Sequence, residues 1–163
     1  MSELANWSGF FSAVSGAIAT LIGFVFVAVS INLTRILGTP GLPGRAGEAV
    51  VALAAMLIVT LLGLVPAQGL RVFGIETLII AFALGCFGVG LQLGALRRGH
   101  YRQPHHMAIR VVLAQSALAP LIVAGVLLAL GRPYGLYWLV PSVAITIVAS
   151  VLNAWVLLVE ILR

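Results

Sequence analysis

The sequence predicts an all-α integral membrane bundle of five transmembrane helices, and three observations carry that expectation. Of its 163 residues, 62% are hydrophobic and 8% charged, whereas soluble globular chains are about 25% charged. Several uninterrupted apolar stretches approach or exceed the roughly 20 residues a helix needs to cross about 30 Å of hydrocarbon. The breaks between them are short and rich in Pro, Gly and Arg. Backbone groups in lipid must be satisfied internally, so only helices and closed barrels span it, and these stretches are too long and continuous for barrel strands.

The first span runs from about 9 to 36, and as one helix it would measure about 42 Å. That exceeds the hydrocarbon and implies tilt or protrusion. GTPGLPGRAG at 38–47 combines Pro and Gly in a way no helix tolerates, and the second span follows at about 49–66. AQGLRVFG at 67–74, centred on Arg71, separates it from the third span at about 75–96. RRGHYRQPHH at 97–106 is the one strongly polar stretch; the fourth span covers about 107–130, GRPYG at 131–135 makes a tight turn, and the fifth covers about 136–159. No linker is long enough for a second domain, so 1–163 forms a single transmembrane domain. Pro120 and Pro141 free the carbonyls of Ser116 and Tyr137 and are candidate kinks.

Orientation follows from the arginines. All nine basic residues are Arg, and they stay charged at any relevant pH. Arg71 and Arg132 fall on one side with the N-terminal tail; Arg35, Arg45, Arg97, Arg98, Arg102, Arg110 and Arg163 fall on the other. The seven-arginine side is expected to be cytoplasmic, with the N-terminus outside and the C-terminus inside. Trp7, Tyr134, Tyr137 and Trp138 then gather at the outer interface, where amphipathic rings belong. The net charge of +5 points to anionic lipid headgroups at the cytoplasmic face rather than nucleic acid, with Arg97, Arg98 and Arg102 as lipid-binding residues.

On a helical wheel, Ser8, Ser12, Ser15, Gly16, Ala19, Gly23, Phe26, Val27, Ser30 and Thr34 share one face of the first span. Phe10, Val14, Leu21, Phe24, Val25 and Ala28 occupy the other, together with Asn32, which reads as a contact within its own bundle. Small residues at four-residue spacing let helix backbones approach, so the plain reading of the small face is a packing seam. The sharper reading makes it the wall of a water-filled pore in a symmetric oligomer. Ser and Thr rings would wet that pore, and Phe26 or Val27 would form a hydrophobic gate.

The fifth span carries a second polar face: Ser142, Thr146, Ala149, Ser150, Asn153 and Glu160. Glu160 lies near the cytoplasmic end, where Arg110 is its expected partner in an ion pair. The intramembrane amides Gln92, Gln115 and Asn153 are costly in lipid unless bonded, and so should face the bundle or a cavity. Gln92 shares a face with Ala81, Gly85 and Gly88, while Cys86, Gly90 and Gly94 form a second small seam. The third span is therefore expected to be central and tightly surrounded.

Several function classes are excluded or left without support. HExxH, GxSxG, P-loop and CxxC motifs are absent and only four acids are present, so no enzyme is expected. No cofactor or metal site is expected either. His100, His105 and His106 share a loop without a fixed scaffold for a metal. Glu48 opens the second span, where a carboxylate complements the helix N-terminus. Cys86 has no internal disulfide partner. MSELANW carries an acid and no basic leader region, so the first span is expected to be retained.

GFVFVAVSINL at 23–33 followed by LPGRAGE at 42–48 resembles a family of small multi-pass bacterial membrane proteins of unassigned function. Some of its members are labelled "modulator of FtsH protease", after a membrane-anchored protease. The resemblance covers the first span and its loop, and the remaining spans by hydropathy. It implies a regulatory binding role and brings no functional residues with it. The leading expectation is a homo-oligomeric channel in the bacterial inner membrane lined by the first span. A regulatory or scaffolding protein that binds another membrane protein, such as a protease, is the alternative, and a small-solute transporter the second.

Overall fold

The structure, a computed structural model, describes residues 3–38, 42–97 and 104–158; within these, the side chains of 42, 45, 95–97, 104–115 and 156–158 lie outside the description. Seven helices are formed, and the described residues contain no strand. They are α1 (Glu3–Asn6), α2 (Ser8–Ile31), α3 (Leu33–Gly38), α4 (Leu42–Leu62), α5 (Leu70–Arg97), α6 (Pro104–Ala129) and α7 (Gly135–Leu158). Three of these are long and apolar enough to cross a membrane, over Ser8–Ile31, Leu70–Gly94 and Gly135–Trp155. Ala46–Leu62 and Ser116–Ala129 are shorter apolar helices.

The first apolar segment is not one helix. It breaks at Asn32, whose φ of −110° and ψ of 18° lie in the sparsely allowed bridge region. Asn32 is 6% exposed, inside the bundle as the wheel placed it. The Ile36 N–H still donates to Asn32 O at 2.9 Å, so α3 resumes at once.

The Pro- and Gly-rich segment at 38–47 was expected to exclude a helix, yet α4 starts at Leu42 and runs through it. Pro43 is the second helical residue, where its missing N–H has no intrahelical partner to lose. Gly44 and Gly47 are tolerated at about 1 kcal/mol each relative to Ala. Similarly α5 begins at Leu70, placing Arg71, Val72 and Phe73 in its first turn, and the break moves back to 63–69.

Helices α5, α6 and α7 pack as successive neighbours, while α2 lies on α4 and α7. The α5–α6 contact is a close backbone approach. A Cβ on Gly74 would fall on the main chain of Leu128 and Ala129, and one on Gly125 would lie 2.8 Å from Leu78. At the next corner Gly135 sits against Leu128 and the carbonyl of Ala124, with no room for a side chain. Helix α6 ends in a Schellman motif: the Arg132 N–H donates to Leu127 O and the Gly131 N–H to Leu128 O, both at 2.8 Å. Gly131 takes φ +77°, the left-handed conformation this cap requires.

The expected central helix is not central. Much of α5 faces away from the bundle; Phe82 is 75% exposed, and Cys86 and Gly90 are also exposed. Of its small residues, Gly74 and Gly85 face α6, where a Cβ on Gly85 would lie 3.3 Å from Leu118, while Gly88, Gly90 and Gly94 face open space. Helix α4 touches α2, α5 and α7, and α7 touches α2, α4 and α6, so these two hold the middle. Lipid is as apolar as leucine, which is why letters alone did not separate the bundle side of α5 from its outer side.

Pro120 and Pro141 lie inside α6 and α7, which continue through them. Ser142, next to Pro141, donates its hydroxyl to Ala117 O at 2.8 Å and so joins the two proline-bearing turns. One end of the bundle collects the start of α2 and the 63–69 and 130–134 turns. There Trp7 meets Tyr137 edge-on at 4.9 Å, Phe11 meets Phe73 at 5.7 Å, and Gly63 underlies the Phe11 ring.

Candidate functional site

Helix α2 is divided lengthwise. Phe11, Ser15, Ile18, Val25 and Ala28 are its buried residues, spaced by three, four or seven so that they share one side. Ser8, Ser12, Gly16, Ala19, Gly23, Phe26, Val27, Ser30 and Thr34 are all exposed. A Cβ built on Gly9, Gly16 or Gly23 would meet nothing within 4 Å. The small face predicted from the wheel is thus the outer face of the protomer.

Ser15 departs from that prediction. It is 9% exposed and turned inward, where its Oγ lies 2.9 Å from Thr60 Oγ1 of α4 and 2.8 Å from Phe11 O. At the far edge of the seam, a hydroxyl that finds a partner in its own bundle is held there. Phe24, assigned to the bulky face, is 62% exposed.

Three of the outer hydroxyls bond to a backbone carbonyl three or four residues earlier. Ser8 donates to Ala5 O at 2.9 Å, Thr20 to Gly16 O at 2.9 Å and Ser30 to Phe26 O at 2.8 Å. A hydroxyl bonded in this way is satisfied as a donor and keeps acceptor capacity on its oxygen. Ser8, Thr20 and Ser30 can therefore meet lipid, a helix or water without an orphaned donor.

Phe26 and Val27 stand on this same side, 57% and 55% exposed. Elsewhere the outer surface carries large side chains: Ile79 and Phe82 on α5, Ile122 and Val126 on α6, and Val148 and Leu152 on α7 are all exposed. Exposed Ser and Thr residues distinguish α2 and α3 from the other described helices; small size alone does not, since Cys86 and Gly90 on α5 are exposed too.

The polar face of α7 points inward. Ser142, Thr146 and Ser150 are buried, and Thr146 donates to Ser142 O at 2.8 Å. Asn153 and Gln92 are half-buried. Arg98, His100, Arg102 and Glu160 lie outside the described residues, as do the side chains of Arg97, His105, His106, Arg110 and Gln115. The Arg110–Glu160 pair and the arginine-rich loop therefore have no described geometry. Among the described residues no group of three His, Cys, Asp or Glu is placed to hold a metal ion.

Sequence reasoning missed three polar features. Thr60 and Thr77 are buried, and Thr77 donates to Phe73 O at 2.8 Å. The Gln68 amide Nε2 donates to Glu76 Oε2, while Gln68 Oε1 is buried without a partner. Arg71 lies against Gly131 on the neighbouring turn. Thr60 continues the Ala49, Leu53, Met56 face of α4 at helical spacing and was accessible to the same wheel arithmetic. Glu76 is one of only four acids in the chain, and its place inside an apolar helix was the available signal.

Fold and surface together define an all-α protein with helices suited to a membrane. Comparison with models of known protein families, with curated proteins and with solved structures found no match.

Proposed function

We propose that the chain is a five-span protein of a bacterial inner membrane, with its N-terminus outside and its C-terminus cytoplasmic. It assembles with copies of itself so that the outer face of α2 lines a central pore. One observation carries this reading: among the described residues every exposed Ser and Thr lies on α2 or its continuation α3, whereas Thr60, Thr77, Ser142, Thr146 and Ser150 on the other helices are buried.

Ring assembly around α2 would bring Ser12, Gly16, Ala19 and Gly23 to the axis, where hydroxyl and backbone oxygens can wet the wall. Phe26 and Val27 would narrow it further along, a hydrophobic constriction that gates by dewetting. The two-against-seven arginine split supports the orientation. Arg97, Arg98 and Arg102 then meet anionic headgroups at the cytoplasmic surface.

Cysteine scanning of α2 in a Cys86→Ser background, with the protein reconstituted in vesicles, tests the reading. Cysteines at 12, 16, 19 and 23 should react with a water-soluble thiosulfonate and block ion flux, while cysteines at 79 and 82 should do neither. Phe26→Ala and Val27→Ala should raise flux. A monomer in lipid, or an unreactive α2 face in an assembled oligomer, overturns the pore; the second result leaves a dry packing seam between copies.

A further inference from the structure

The two arginines at the aromatic end of the bundle come from adjoining turns. Arg71, in the first turn of α5, lays its side chain over Gly131, with Nε 3.3 Å and Nη2 3.8 Å from where a Cβ on that glycine would be. Arg132 is the next residue. Its Nη1 lies 3.4 Å from the Tyr134 hydroxyl, and both arginines are exposed. A Cβ at 131 would press tightly on Arg71 Nε, and the φ of +77° already favours glycine there.

Neither arginine has a carboxylate partner among the described residues, and the acid on this part of α5, Glu76, is bonded to Gln68. Two cationic side chains thus extend from adjoining turns with no carboxylate partner among the described residues. Each guanidinium presents a planar fork of donors that fits phosphate oxygens. The surroundings point to a lipid. Val72 and Leu130, which flank the pair in sequence, are 52% and 65% exposed, and Tyr134, Tyr137 and Trp138 are exposed on the following turns. Such rings settle at headgroup level.

We infer that Arg71 and Arg132 form a binding site for the phosphate of an anionic glycerophospholipid. The Tyr134 hydroxyl supports Arg132, and Val72 and Leu130 receive the upper acyl chain. An anionic headgroup is favoured over a zwitterionic one because a headgroup ammonium would be repelled by the second arginine. The inference depends on the membrane setting of the helices and not on the pore, so it stands or falls separately from the oligomer.

Two measurements on the full chain in a neutral detergent test the site. Native mass spectrometry with phosphatidylglycerol and phosphatidylcholine in competition should show preferential phosphatidylglycerol adducts. Arg71→Gln and Arg132→Gln should each weaken this preference about fivefold, the equivalent of the ~1 kcal/mol a basic residue contributes at an anionic surface. A phosphatidylglycerol carrying a photoreactive headgroup should label the segments around 71 and 132 in the wild type, which tests the site even if a variant fails to fold. No labelling there overturns the inference, as does unchanged preference in folded variants. Displacement of the lipid by millimolar inorganic phosphate would show a free-anion site and overturn the lipid assignment.

Discussion

Ser15 on α2 and Thr60 on α4 are joined by a hydroxyl–hydroxyl bond of 2.9 Å, and Thr60 in turn donates to Leu57 O at 2.9 Å. The direction is consistent: Ser15 O–H to Thr60, Thr60 O–H to the carbonyl. Phe11 O offers Ser15 a second acceptor, so losing Thr60 leaves no stranded donor. Ser15→Ala is expected to cost about 0.5–1.5 kcal/mol, and a double-mutant cycle with Thr60→Val should give a coupling near 0.6 kcal/mol, the average for such bonds between membrane helices. Reversible unfolding in mixed micelles measures both.

Glycines on the two sides of the bundle should respond oppositely to substitution. Gly74 and Gly125 have no space for a methyl group, so Gly74→Ala and Gly125→Ala should each destabilise by about 1–3 kcal/mol through forced separation of α5 and α6. The thermal midpoint of the purified protein reports this. Retention of the wild-type midpoint by both variants would show that the two helices are not in backbone contact.

Gly16 and Gly23 have open space instead. Gly16→Leu and Gly23→Leu are expected to leave helix content and the protomer's thermal midpoint at or above wild type, since Gly is the poorer helix former by about 1 kcal/mol. The oligomer proposed above should suffer, its association constant falling at least tenfold, or about 1.4 kcal/mol. Native mass spectrometry and size-exclusion chromatography with light scattering separate the two effects.

The Gln68–Glu76 contact invites a pair of substitutions. Glu76→Gln removes a charge from an apolar helix and supplies an amide N–H that can reach the unpartnered Gln68 Oε1. Its stability should equal or exceed wild type. Gln68→Ala removes a bond to a charged acceptor, a contribution of about 1.5–3 kcal/mol, reduced here because Glu76 is half-buried. An ordering of stability with Glu76→Gln lowest would contradict this account; chemical unfolding at neutral pH decides.

Much of this architecture was legible in the letters. The last three helices were expected at 75–96, 107–130 and 136–159 and are found at 70–97, 104–129 and 135–158, because turn residues and Arg clusters punctuate them. The start of α4 was not legible, since Pro43 falls in the one turn of a helix that accepts it. The inward turn of Asn32 was readable because burial in the bundle is the cheapest environment for an amide in lipid. Ser15 was misplaced because a wheel gives an angle and not a partner, and only the position of Thr60 decides which way that hydroxyl turns. The centrality of α4 and α7 over α5 depended on contacts that no local pattern encodes.

The docking of α2 on α4 and α7 has a consequence for how the chain is made. Synthesis proceeds from the N-terminus, so α2 is made well before α7, its last partner, exists. Until then half of its inner side lacks a neighbour, and the Ser15–Thr60 bond to α4 is the first tie to form. A truncated nascent chain ending before Gly135 should hold α2 more loosely than the finished protein, leaving both sides of that helix uncovered at once.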